Sequence, residues 1–100
     1  MPINISAFRG RDNVEEIEFN RNGLPINFAA EGVTAIKAQA GGATVNAVFN
    51  GNKVGVKFGD LALAAGIYQA QIIVFTPNAP KGEVIAGPGR EIEIELQYNG

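Results

Sequence analysis

Alternation of apolar and polar residues is the dominant pattern in this chain. It is strictest in Arg90–Tyr98, where Ile92, Ile94, Leu96 and Tyr98 fall on one side and Glu91, Glu93, Glu95 and Gln97 on the other. A period of two over that length predicts a strand with one face in the core and one in water. Ile3, Ile5 and Ala7 predict a first strand over Ile3–Phe8 in the same way. Val14–Phe19 predicts a second, with Ile17 and Phe19 inward and a bulge or late start at Val14-Glu15-Glu16. Val33–Gln39 reads as a strand with Lys37 and Gln39 facing water. Ala43–Phe49 and Lys53–Phe58 flank Asn50-Gly51-Asn52 and predict a hairpin with a type I′ turn, the turn that Asn-Gly favours. Ile67–Thr76 is the longest extended run. Tyr68, Ala70, Ile72 and Val74 take one face, while Ile73 and Phe75 make the later half of the other face apolar as well.

Between these runs lie turn signals. Arg9–Asn13, Asn20–Gly23, Gly41-Gly42, Pro77–Gly82 and Gly87-Pro88-Gly89 all read as turns or loops. Pro25 cannot donate to a ladder, which makes Leu24–Phe28 an edge or an extended connection. Glu83–Ala86 predicts a short edge strand. Asp60–Ala65 has room for one helical turn, too short to stand alone as a helix. The expectation is one all-β domain over residues 1–100. It is expected to be an immunoglobulin-like two-sheet antiparallel sandwich of about seven to nine short strands; a small barrel is the alternative. Gly66-Ile67-Tyr68, placed just before the long strand, resembles a tyrosine corner. The Tyr68 hydroxyl is expected to bond the backbone a few residues upstream, in or near Asp60–Ala64.

Composition narrows the chemistry. The chain has 100 residues, a formal net charge of −2 and 46% hydrophobic residues, enough for a single packed core. Without cysteine there is no disulfide or thiolate metal site. Without histidine the usual general base and the commonest metal ligand are missing. Ser6, the sole serine, lies in a predicted strand with no base near it in sequence. Glu91, Glu93 and Glu95 are spaced about 7 Å apart by the strand repeat. That is within the range of roughly 5–10 Å used by glycosidase carboxylates. Charge on the outer face of a sheet explains them better, and the same holds for Glu15, Glu16 and Glu18. No DxDxDG calcium loop or Walker spacing occurs. Charges are scattered, so no basic nucleic-acid footprint is present. No apolar run approaches the roughly 20 residues of a membrane helix. The N-terminus lacks the apolar stretch of a signal peptide, so self-directed export is not expected. The sequon Asn4-Ile5-Ser6 is then best read as chance. No catalytic residue, cofactor or metal ligand is assigned.

A family resemblance follows from the order of motifs. The first half carries Phe8-Arg9-Gly10-Arg11-Asp12, then Ile17-Glu18-Phe19, then Asn22-Gly23-Leu24-Pro25-Ile26-Asn27-Phe28. The second carries Val54-Gly55-Val56, Gly59–Leu63, Gly66-Ile67-Tyr68-Gln69-Ala70 and Arg90–Leu96. This order resembles the immunoglobulin-like domain at the N-terminus of tailed-phage baseplate upper proteins, also found as small stand-alone virion proteins. The resembling positions are the turn Asp12, the stretch Gly23 to Phe28, and Gly66 to Tyr68. Asn27-Phe28 replaces the family's usual Asp-Leu, and the helical and receptor-carrier regions have no counterpart here. The resemblance implies a non-enzymatic structural part of a bacteriophage virion, in tail, baseplate, neck or head. It would be made in the bacterial host cytoplasm and contact other virion proteins, with a homo-oligomer such as a ring among its expected states. The candidate interface is Ile73 and Phe75 with the following loop Thr76–Gly82, including Pro77 and Pro80, since apolar residues on a face that should be wet mark contact surfaces; the favoured alternative is that a second sheet or loop of the same chain covers Ile73 and Phe75. The alternative function is a carbohydrate- or surface-binding module, with Tyr98 as its candidate surface aromatic.

Overall fold

The computed structural model describes residues 2–100 and is all-β. Ten strands form in chain order: β1 (Pro2–Phe8), β2 (Glu15–Glu18), β3 (Asn20–Arg21), β4 (Leu24–Pro25), β5 (Ala35–Ala40), β6 (Ala43–Asn50), β7 (Lys53–Val56), β8 (Gly66–Thr76), β9 (Ala79–Ala86) and β10 (Glu93–Asn99). A 3₁₀ turn, Phe58–Leu61, separates β7 from β8. The count exceeds the expected seven to nine because the Asn20–Pro25 stretch pairs with itself as a two-residue ribbon.

Eight strands join in one sheet, ordered β1-β10-β8-β5-β6-β7-β2, with β9 paired to β8 beside this path. All pairs are antiparallel except β1 with β10. β6 changes neighbours along its length: Ala43–Ala47 pairs with β5, and Val48–Asn50 pairs with β7. The sheet therefore wraps around its own apolar face, which places the fold in the sandwich-or-barrel class.

The predicted inward residues meet in a single core. Ile5, Ala7, Ile17, Ile36, Ala38, Val54, Val56, Ala70, Ile72, Ile94 and Leu96 are all buried within one cluster. Phe28 stands between Phe19 and Phe49, edge-to-face with both at centroid distances of 5.9 and 5.8 Å. That geometry suits the aromatic quadrupole and closes the core beneath the β3–β4 ribbon. No charged side chain is buried among the described residues.

Three expectations need correction. The β6–β7 turn is not type I′. Asn50 pairs with Lys53, so Gly51 and Asn52 are the central residues, and of the two only Gly51 has positive φ. A glycine first with a normal residue second is the type II′ pattern. The Asn-Gly turn with both angles positive lies instead at Asn22-Gly23 (φ 54° and 78°), between the paired Arg21 and Leu24. Pro77–Gly82 is also not a loop throughout, because β9 begins at Ala79, opposite Thr76. The edge strand thus runs over Ala79–Ala86 rather than Glu83–Ala86. Its pairing is irregular, with register shifts between Ile72 and Ile73 and between Val74 and Thr76. An edge position tolerates Pro80, whose missing donor costs no ladder bond when it faces outward.

Candidate functional site

The best-built polar feature is the corner between β7 and β8. The Tyr68 hydroxyl donates to the Ala64 carbonyl at 2.8 Å, four residues upstream. Its ring is half-buried and lies against Gly41. A Cβ on Gly41 would stand 2.8 Å from the ring and 2.9 Å from Leu63, so only glycine lets the β5–β6 turn approach this closely. Gly66 opens the strand beneath the same ring.

Two further side chains hold the corner, and the sequence reading assigned neither to it. Tyr98 is buried at 1% exposure, and its hydroxyl donates to the Gly59 carbonyl at 2.8 Å. The Gly10 N–H donates to the same carbonyl at 3.1 Å. Arg9 reaches Leu63 across 54 positions of sequence. Both its Nε, at 3.1 Å, and its Nη2 donate to the Leu63 carbonyl. The carbonyls of Gly59, Leu63 and Ala64 are thus all taken by the ends of β1, β8 and β10. Three carbonyls of a tight connection thereby gain partners, while its Phe58, Leu61 and Leu63 side chains sit in the core. The signal for Tyr98 was present in the alternation, which aims it inward where a buried hydroxyl needs a partner. Arg9 gave no such signal.

Tyr98 is therefore not a surface aromatic, which removes the residue on which a sugar-stacking site was based. Glu93 and Glu95 lie exposed on β10, and Glu91 is exposed just before it. Among the described residues no group of three or more Asp, Glu, His or Cys side chains is placed to hold a metal. No helix of the described residues is long and apolar enough to cross a membrane.

The expected interface residues separate into two pairs. Ile73 and Phe75 sit side by side on the outer face of β8, both half-buried. Gly82 of β9 lies over them: a Cβ there would be 2.5 Å from Ile73 and 2.9 Å from Phe75. The Lys37 ammonium stands 5.4 Å from the Phe75 ring centroid, in cation–π range. The bulged backbone of β9 and a lysine stem thus cover part of what the sequence left bare. Pro77 and Pro80 are exposed beside them. Together they form a mixed surface of apolar, proline and lysine side chains at one end of the β8–β9 hairpin.

No family model, curated protein or solved structure matches this chain.

Proposed function

We propose that this chain is a non-enzymatic structural component of a tailed-bacteriophage virion that works through protein–protein contacts. We further propose that its wrapped sheet is an immunoglobulin-like two-layer sandwich. In that arrangement β2, β7 and the second half of β6 form one layer, and β1, β10, β8, β5 and the first half of β6 form the other. The observation that carries the reading is the corner. A Gly-x-Tyr opens the long strand β8, and its hydroxyl returns to a carbonyl four residues upstream, as in immunoglobulin-like domains. The order of motifs that resembles the phage domain supports the virion assignment, and the Ile73–Phe75 surface beside Pro77 and Pro80 supplies a contact region.

The test is direct. Particles purified from a lysate of the phage encoding this chain are digested and analysed by mass spectrometry, and positive particles are imaged by electron microscopy. The proposal expects stoichiometric peptides from this chain and density for the domain on tail, neck, baseplate or head. Its absence from mature particles while present in the lysate overturns the proposal.

A further inference from the structure

Among the described residues the sheet has three open edges, at β1, β2 and β9, and they are not equally guarded. β2 is only four residues long and carries Glu15, Glu16 and Glu18. β9 carries Pro80, two register irregularities, Lys81 and Glu83. Short length, charge, proline and bulges are the devices by which native sheets stop edges pairing with other chains. β1 has neither charge nor bulge. Pro2–Phe8 contains no ionisable side chain, and its seven residues pair with β10 without a register shift.

The open side of β1 can be read residue by residue. The Arg9 N–H donates at 2.9 Å to the Asn99 carbonyl, and Asn99 stands opposite Phe8. In a parallel ladder alternate residues of a strand bond a given neighbour. Ile3, Ile5, Ala7 and Arg9 therefore turn their peptide groups toward β10, and Pro2, Asn4, Ser6 and Phe8 turn theirs to the open side. Two of those four are limited at the ends. Pro2 has no N–H, and the Phe8 carbonyl already accepts from the Arg11 N–H at 3.2 Å.

We infer that this edge is a homodimerisation surface that pairs antiparallel with β1 of a second copy, with Ile5 at the twofold axis. That register places Asn4 opposite Ser6 of the partner at both symmetric positions, and each pair exchanges two N–H···O=C bonds. It also places Pro2 opposite Phe8, so the missing donor faces the occupied acceptor and neither leaves an unpaired group. Centring the axis on Asn4 or on Ser6 loses this match. The first sets Pro2, without a donor, against the free carbonyl of Ser6. The second sets the occupied Phe8 carbonyl against the free N–H of Asn4. Outside the ladder, the exposed Phe8 ring (46%) meets the exposed Pro2 of the partner on the same sheet face. No like charges oppose one another, so nothing on the strand repels its own copy. The interface is isologous, as a twofold requires. The inference rests on edge geometry alone and is independent of the virion assignment.

Sedimentation equilibrium on the purified chain tests it, with circular dichroism to verify that each variant is folded. Wild type is expected at twice the monomer mass, in a concentration-dependent equilibrium. Asn4→Lys with Ser6→Lys sets like charges opposite each other in the paired strands and is expected to weaken dimerisation by about tenfold or more. Asn4→Glu with Ser6→Lys sets opposite charges face to face only in the register with Ile5 on the axis, and is expected to remain dimeric. A wild type that stays monomeric at millimolar concentration overturns the inference. So does a folded double-lysine variant that dimerises as tightly as wild type. Loss of the dimer in the mixed-charge variant overturns the register.

Discussion

Gly59→Ala is the sharpest single test of how the corner is built. Gly59 does not have positive φ, so backbone conformation alone does not require glycine there. Space does. A Cβ at this position would lie 2.4 Å from the Phe8 carbonyl oxygen, 2.7 Å from that of Arg11 and 3.2 Å from the Arg11 nitrogen. All three are backbone atoms in a turn held by its own hydrogen bonds, so no side chain can swing aside. Overpacking of this kind costs about 1–3 kcal/mol. Moving Gly59 also lengthens the bonds its carbonyl accepts from Tyr98 and Gly10, each contributing about 1 kcal/mol. The expected loss is therefore about 3–5 kcal/mol, a large share of the roughly 5–15 kcal/mol of a typical domain. At about 4–8 °C per kcal/mol for a chain of this size, Tm falls by at least ~12 °C. Urea denaturation followed by circular dichroism measures it. Gly55→Ala is the matched comparison. Its Cβ would approach only the Val14 and Val48 methyls, at 3.2 and 3.4 Å, and both side chains are exposed and free to shift. Replacing a mid-strand glycine there is expected to be neutral or stabilising by roughly 0.5–1 kcal/mol. If Gly59→Ala unfolds within about 0.5 kcal/mol of wild type, the range of ordinary surface substitutions, the close-approach account is wrong.

Other substitutions probe separate parts of the fold. Tyr98→Phe leaves the ring in place and removes a buried donor, and is expected to cost about 1–1.5 kcal/mol by urea denaturation. Tyr68→Phe, whose hydroxyl bond is solvent-accessible, is expected to cost less, and the reverse order would show that the corner hangs on Tyr68 instead. Asn22→Val places a β-branched residue at φ 54° in the type I′ turn and is expected to lower Tm, whereas Asn22→Gly is expected to leave it nearly unchanged. Leu96→Ala, at a fully buried centre of β10, is expected to cost about 2–5 kcal/mol.

The strand faces were legible because burial on one side imposes a period of two, and β1, β8 and β10 follow it with few exceptions. The same regularity hid the β6–β7 turn. Pairing Phe49 with Val54, as found, and pairing it with Asn52, as an Asn50-Gly51 turn would require, differ by two residues. Both registers bury the same side chains, so alternation alone does not separate them. Asn22-Gly23 meets the I′ requirement because its flanking residues pair directly across it. Pro77–Gly82 read as loop because Pro, Asn and Gly are turn residues. The strand forms from Ala79 onward because β9 is an edge and bulges to fit, and neither fact is local to the sequence. Half the corner was legible for the same kind of reason. Gly66 and Tyr68 sit beside the carbonyl they serve, while Arg9 and Tyr98 arrive from opposite ends of the chain, brought there by the parallel pairing of β1 with β10.

That parallel pair joins the corner to the open edge. Tyr98 on β10 and Gly10 just past β1 converge on one carbonyl, that of Gly59, and Gly59 in turn packs onto the backbone of Phe8 and Arg11. The turn held there occupies the last acceptor on the open side of β1, so Ser6 is the last residue there with both donor and acceptor free. The hydrogen bonds that stabilise the fold therefore also set the length of the edge available for pairing. A longer open edge would admit several registers, because a flat strand specifies its partner only through faces and ends. An occupied acceptor at Phe8 and a missing donor at Pro2 leave two residues between them, Asn4 and Ser6, with both groups free, and of the three alignments compared above only the one with Ile5 on the axis matches both ends. The corner's contribution is thus to define the edge as well as to hold the domain together.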